Sequence, residues 1–189
     1  MLANLVWRSK GYLSLENCTA MITNTGSEIS SVIIGVAEQK IFNIEYKLNI
    51  NPHWETEQAE IKSTIEGLTK SFIFNSDGKG NWQQNGHTLE QFDGCVDIDI
   101  PLTPFTNTLP IKRLKLQIGQ AQLIQVVYLD LLRDDIKPVT QKYARLSNRE
   151  YKYENVPNDF EAVITVDELG FVLDYPTLFE RIARKDNGI

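Results

Sequence analysis

Two aspartates spaced by one residue, Asp97 and Asp99, are the most chemically suggestive feature of the chain, and Arg113 and Lys115 follow them closely. A carboxylate pair at this spacing can serve as acid and base or hold a divalent cation. The pattern is too short to specify a metal. Cys95 precedes the pair; among apolar neighbours a thiol reads as a structural group rather than a nucleophile. The only histidines are His53 and His87, in unrelated contexts, so a histidine-rich metal site is excluded and each histidine reads as a turn or surface residue. No G-x-x-x-x-G-K-[ST] phosphate loop and no G-x-S-x-G nucleophile elbow occurs.

The element that must position these groups is the stretch Gly94 to Leu114, which holds three of the seven prolines, Pro101, Pro104 and Pro110. Val96, Ile98 and Ile100 alternate with Asp97 and Asp99, which predicts a strand with both carboxylates on one face. Pro101 has no N–H for a sheet ladder and should end that strand. A second alternation, Leu114, Leu116 and Ile118 against Arg113, Lys115 and Gln117, predicts a further strand. If the two strands pair, Arg113 meets Asp97 or Asp99 across the sheet. That contact is either a solvated cross-strand ion pair or the polar wall of a cavity.

The remainder reads as a succession of short strands. Leu13 and Leu15 alternate with Ser14 and Glu16 between Gly11 and Ile22. Ser31 to Ala37 is apolar nearly throughout, the mark of a strand buried on both faces, with Gly35 a candidate bend. Phe42, Ile44, Tyr46, Leu48 and Ile50 alternate with polar residues and give the cleanest strand signal. Asp77-Gly78 and Asn85-Gly86 supply turn chemistry. Only the C-terminal stretch looks helical: Pro176 suits a first turn, Thr177 and Glu180 have capping-box spacing, and Arg184 and Lys185 suit a C-terminal end. The predicted architecture over residues 1–189 is therefore a single, mainly β domain. It is a strongly curved antiparallel sheet or half-open barrel with one short C-terminal helix packed against it.

A length of 189 residues suffices for a substantial core, and 42% hydrophobic with 23% charged residues is ordinary for a globular chain. A net charge of −6 argues against a nucleic-acid partner. No apolar run approaches the roughly 18 residues of a membrane span, and the N-terminus lacks the basic-then-apolar plan of a signal peptide. Cys18 and Cys95 give no disulfide framework. The expectation is a cytoplasmic protein with free thiols, not integral to the membrane and without a cofactor.

Several features of the chain match one family: Trp7-Arg8, Tyr46, Trp54 with Thr56, Gly80-x-Trp82 and, above all, the long block G-C-V-D-I-D-I-P-L-T-P-F-T-N-T-L-P-I-K-R-L. Gln141-x-Tyr143, Tyr151-x-Tyr153, Asp167-x-x-Gly170 and Asp174-Tyr175-Pro176 extend the match over almost the whole chain. In these positions the chain resembles a bacterial glycolipid-binding family, formerly a domain of unknown function. The resemblance implies a curved antiparallel sheet wrapping a helix, similar to the periplasmic carriers of lipoproteins. It implies no catalytic residues. The chain lacks the secretion signal of such carriers, so their cargo and compartment do not follow.

The resulting functional expectation is non-catalytic binding of an amphipathic small molecule, a glycolipid, in a cavity of the sheet. Trp7, Trp54 and Trp82, with Tyr46, Tyr143 and Tyr153, offer aromatic faces for sugars, although tryptophans also serve as core residues. Arg8, Asp97, Asp99, Asn107 and Arg113 offer polar contacts for a head group. The alternative is an enzyme acting on a sugar-containing or phosphorylated small molecule with Asp97 or Asp99 as acid, base or metal ligand. A third is an interaction module in which the family block only fixes a crossing loop.

Overall fold

In a computed structural model, which describes residues 1–187, the chain builds one 15-stranded sheet. The first half is a meander of β1 (Leu2–Ser9), β2 (Leu13–Thr23), β3 (Gly26–Ala37), β4 (Lys40–Ile50), β5 (Thr56–Ile65), β6 (Leu68–Ser76), β7 (Trp82–Gln84) and β8 (His87–Thr88). The second half holds β9 (Asp97–Asp99), β10 (Ala121–Asp130), β11 (Asp135–Arg145), β12 (Glu150–Val156), β13 (Glu161–Val166), β14 (Val172–Tyr175) and β15 (Phe179–Asn187). Because β1 pairs with β15, the two meanders join at the middle of the sheet, and β8 and β9 are left as its edges. The sheet is therefore a half-open barrel rather than a closed one. Every pairing is antiparallel except β9 with β10, which is parallel.

Residues 95–116 fill the inside of this curve. Ile98, Ile100, Leu102, Phe105 and Leu109 enter the core against the inner residues of β1–β6, whereas Ile111 and Leu116 enter a second core formed by β10–β15. The segment thus welds the two half-sheets, and each buried large apolar side chain contributes about 1.5–3 kcal/mol toward that end.

Two expectations about local structure are corrected. The only α-helix among the described residues, α1 (Thr108–Leu114), lies inside this plug, not at the C-terminus. Residues 113–118 are therefore not a strand: Lys115 ends α1 in the left-handed conformation with φ 48°. Six residues of alternation do not separate period two from period 3.6. Pro110 is tolerated because it sits in the first turn, where its missing N–H has no intrahelical acceptor. The C-terminal stretch instead forms β15, with Thr177 in the β14–β15 turn at φ 64°. Its capping-box spacing loses to backbone pairing with both β1 and β14. Gly35, read as a bend, lies in regular register with Ser14 and Phe42.

The Asp77–Asn81 turn joins β6 to β7 as its residue types predict, and Gly80 does a second job there. Its φ is +97°, and a Cβ at Gly80 would lie 2.8 Å from the Gly94 Cα. Gly80 O also accepts a hydrogen bond from the Gly94 N–H at 3.0 Å, tying the plug to the hairpin. Gly80→Ala is accordingly expected to cost about 2 kcal/mol or more, through backbone strain and lost close approach. Thermal denaturation beside Gly86→Ala, whose Cβ would meet nothing within 4 Å, separates crowding from the positive-φ penalty alone.

Candidate functional site

The two aspartates do alternate with Ile98 and Ile100, but they are not equally covered: Asp97 and Ile98 are buried and Asp99 is half-buried. Asp97 is fully buried and is held by Arg113 from α1, through Nε to Oδ1 at 3.1 Å and Nη2 to Oδ2 at 2.5 Å. The expected partner is present, and it arrives from a helix rather than across a sheet. Burial pushes the Asp97 carboxyl up and Arg113 pulls it back. Asp99 has no cationic partner: it accepts from the Thr106 hydroxyl at 2.9 Å and the Gln141 amide at 2.7 Å, and burial raises it.

The aromatic residues divide. Trp7 and Trp82 are fully buried and anchor their indole N–H groups on backbone carbonyls, Trp7 on Val172 at 2.9 Å and Trp82 on Cys95 at 2.5 Å. Both are core residues of the sheet. Trp54 is half-buried in the β4–β5 connection, with the Lys112 ammonium 5.0 Å from its ring centroid. Tyr143 is buried and donates to Asn107 Oδ1 at 2.8 Å. Arg8 lies outside, paired with Glu180. Asp99, Asn107 and Tyr153 converge on one small pocket of about 200 Å³ inside β10–β15.

The largest concavity is elsewhere, on the outer face of β2–β6. Two adjoining cavities of about 870 and 730 Å³ share Leu15 and Ile34 and form one groove. One end is lined by Leu13, Leu15, Ile34, Val36 and Ile41, all exposed, Leu13 at 76%. These side chains are neighbours by register: Leu13 opposes Val36, Leu15 opposes Ile34, and Val36 opposes Ile41. The other end carries Asn17, Ser30, Glu45, Lys47, Glu60, Lys62 and Ser71. Of the residues expected from sequence, Tyr46 alone is among the lining.

This groove escaped the sequence reading because β2 is inverted relative to the usual rule. Its polar residues, Ser14 and Glu16, face the core, and its leucines face water. The signal was present in the double-sided apolar run of Ser31 to Ala37. Ile33 is buried there, whereas Val32, Ile34 and Val36 are exposed rather than covered by a second layer.

A buried polar network lies under the groove. Glu16 Oε1 accepts from the Tyr46 hydroxyl at 2.6 Å, Ser31 at 2.7 Å and Thr103 of the plug at 2.9 Å, while Oε2 has no partner. Burial raises the Glu16 carboxyl to about 7. Both cysteines are buried free thiols, and burial raises each. Among the described residues no three His, Cys, Asp or Glu side chains converge on a metal-sized site, and no helix is long and apolar enough to cross a membrane.

A family model described as "Putative glycolipid-binding" matches residues 4–181. The crystal structure of a DUF1089 family protein from Pseudomonas aeruginosa is similar over 88% of this chain and 92% of that one, with 34% identity and a TM-score of 0.82. No curated protein matches the chain.

Proposed function

Given that the chain belongs to the "Putative glycolipid-binding" family, we propose that it binds an amphipathic small molecule, a glycolipid, without transforming it, in the outer groove of β2–β6. The observation that carries this reading is the continuity of the groove: exposed aliphatic side chains at one end merge, through Leu15 and Ile34, with charged and hydroxyl side chains at the other. An exposed apolar patch of this kind marks a binding surface, and a groove that is apolar at one end and mixed at the other, where Val32, Phe72 and Ile73 lie among charged and hydroxyl side chains, suits an acyl chain joined to a hydroxylated head group.

Magnitudes assign the roles. Each methylene removed from water contributes about 0.8 kcal/mol, so ten contribute roughly 8 kcal/mol gross before the cost of association. A head-group hydrogen bond adds about 0.5–1.5 kcal/mol net. The tail supplies affinity; Asn17, Lys47, Lys62 and Ser71 supply selectivity. A non-catalytic role is supported by the locked state of Asp97, whose oxygens are taken by Arg113, and by the exposed positions of His53 and His87 away from the groove.

Ile34→Glu tests the reading. Ile34 is 55% exposed, so the fold tolerates the change, while a carboxylate placed between the two halves of the groove opposes an acyl chain. A fluorescent fatty-acyl probe is expected to bind the parent and to lose about tenfold or more in affinity with the variant, at an unchanged melting temperature. Equal affinity for both proteins would remove the groove as the site.

A further inference from the structure

The pocket inside β10–β15 shares no residue with the groove and has a different chemistry. It is lined by Tyr128, Tyr153, Phe160, Tyr175 and Phe179, together with Asp99, Asn107 and Asn155. Four of the rings form a connected cluster: Tyr153 to Tyr175 is 6.0 Å between centroids, Phe160 to Tyr175 is 6.2 Å and Tyr175 to Phe179 is 6.4 Å. No lysine, arginine or histidine lines it, and Asp99 makes no ion pair among the described residues.

We propose that this pocket binds a small quaternary ammonium group of the choline class, with Asp99 as its counter-ion and the surrounding rings as its cage. The contrast with Asp97 motivates the assignment. Two residues away, an arginine neutralises a buried carboxylate; at Asp99 the hydrogen-bond partners among the described residues are two neutral donors, Thr106 and Gln141. A carboxylate drawn out of water is stabilised by an opposite charge, and a bound ligand can bring one. The negative faces of aromatic rings attract the same charge, which a methylated ammonium spreads over a surface that fits them. Burial, with the Asp99 charge next in weight, pushes Tyr153 and Tyr175 up, so these tyrosines add no negative charge of their own to the pocket. A neutral sugar would leave the Asp99 carboxylate uncompensated. The pocket, about 200 Å³, is much smaller than either half of the groove and suits a compact head group.

Calorimetric titration with choline chloride, and with the neutral alcohol in which carbon replaces its nitrogen, tests the proposal on the full chain. Choline should bind the parent, and the neutral isostere should bind at least about tenfold more weakly. Asp99→Asn keeps the side-chain shape, and its amide oxygen still accepts from Thr106; it should lower choline affinity by about tenfold or more. Phe160→Leu, at the half-exposed rim, should weaken choline several-fold at an unchanged melting temperature, and it decides the matter if Asp99→Asn fails to fold. Absence of choline binding by the parent, or equal binding of choline and its isostere, would overturn the proposal. So would a folded Asp99→Asn or Phe160→Leu protein with parental affinity. Acyl-probe binding to the groove is measured separately and survives any of these outcomes.

Discussion

Replacing Arg113 by methionine is expected to destabilise the protein by about 3–5 kcal/mol, on the order of 10 °C in melting temperature for a chain of this length. Asp97 is 1% exposed at its side chain and Arg113 16%, so the pair is shielded from water, and both guanidinium contacts go to the same carboxylate. Methionine keeps much of the aliphatic volume on α1 but leaves a buried carboxylate without its cation. Asp97 must then take up a proton or draw water into the plug, and the weld between the half-sheets loosens. Adding Asp97→Asn should recover a large part of the loss, because the amide carries no charge to neutralise. The exposed pair of Arg8 and Glu180 is the control. Arg8→Met should change stability by about 0–1 kcal/mol, since that pair is solvated. Thermal unfolding of the three single variants and the Arg113→Met, Asp97→Asn double variant checks the set. An Arg113→Met protein that melts with the parent would mean that water reaches Asp97 and that the pair is not a structural link.

Much of the scaffold was legible in the sequence because strands and turns announce themselves locally. The alternation from Phe42 to Ile50 became β4 with Phe42, Ile44, Tyr46, Leu48 and Ile50 inside, and Asn85-Gly86 became the β7–β8 turn with both residues at positive φ. Elements whose state is set from a distance were not legible. Pro176 to Lys185 carries helical signals, yet from Phe179 onward it is held as a strand by β1, far away in the chain, and by the neighbouring β14. Arg113 has the predicted partner on an unpredicted element, because the chemistry of a buried carboxylate demands a cation without saying how the backbone brings it.

The site was hidden for a related reason. Alternation reports two faces but not which one is covered, and in β2 the covered face is the polar one. Glu16 and Ser31 can turn inward because Tyr46 and Thr103, 30 and 87 residues from Glu16, complete the network. No local window of the sequence contains that information. The aromatic pocket is equally non-local: Asp99 comes from the plug, and its cage comes from β10, β12, β14 and β15, with Phe160 just before β13.

The buried end of that network yields the second large effect, which depends on pH. Glu16 titrates near 7 in the folded protein against 4.5 as its ordinary value, because burial disfavours the charged form more than its three hydroxyl donors favour it. The folded state therefore keeps a proton that the unfolded chain releases at lower pH. The resulting stabilisation is fully present below about pH 4.5, falls as pH rises through about 7, and is absent above that, with an upper magnitude of about 3 kcal/mol. Glu16→Gln mimics the protonated form: its amide oxygen can keep the donors from Ser31, Tyr46 and Thr103, and its amide nitrogen takes the place of Oε2, which has no partner in any case. At about pH 8 the variant is expected to be more stable than the parent by about 2–3 kcal/mol, or roughly 5–10 °C in melting temperature. Near pH 4.5 the advantage should vanish, and the unpaired amide N–H should leave the variant level with or slightly below the parent. The readout is the difference between the two melting curves as a function of pH, in which every other titrating group cancels. Parallel curves across that range would show that Glu16 is charged in the folded state throughout, and that water or a cation reaches the floor of the groove.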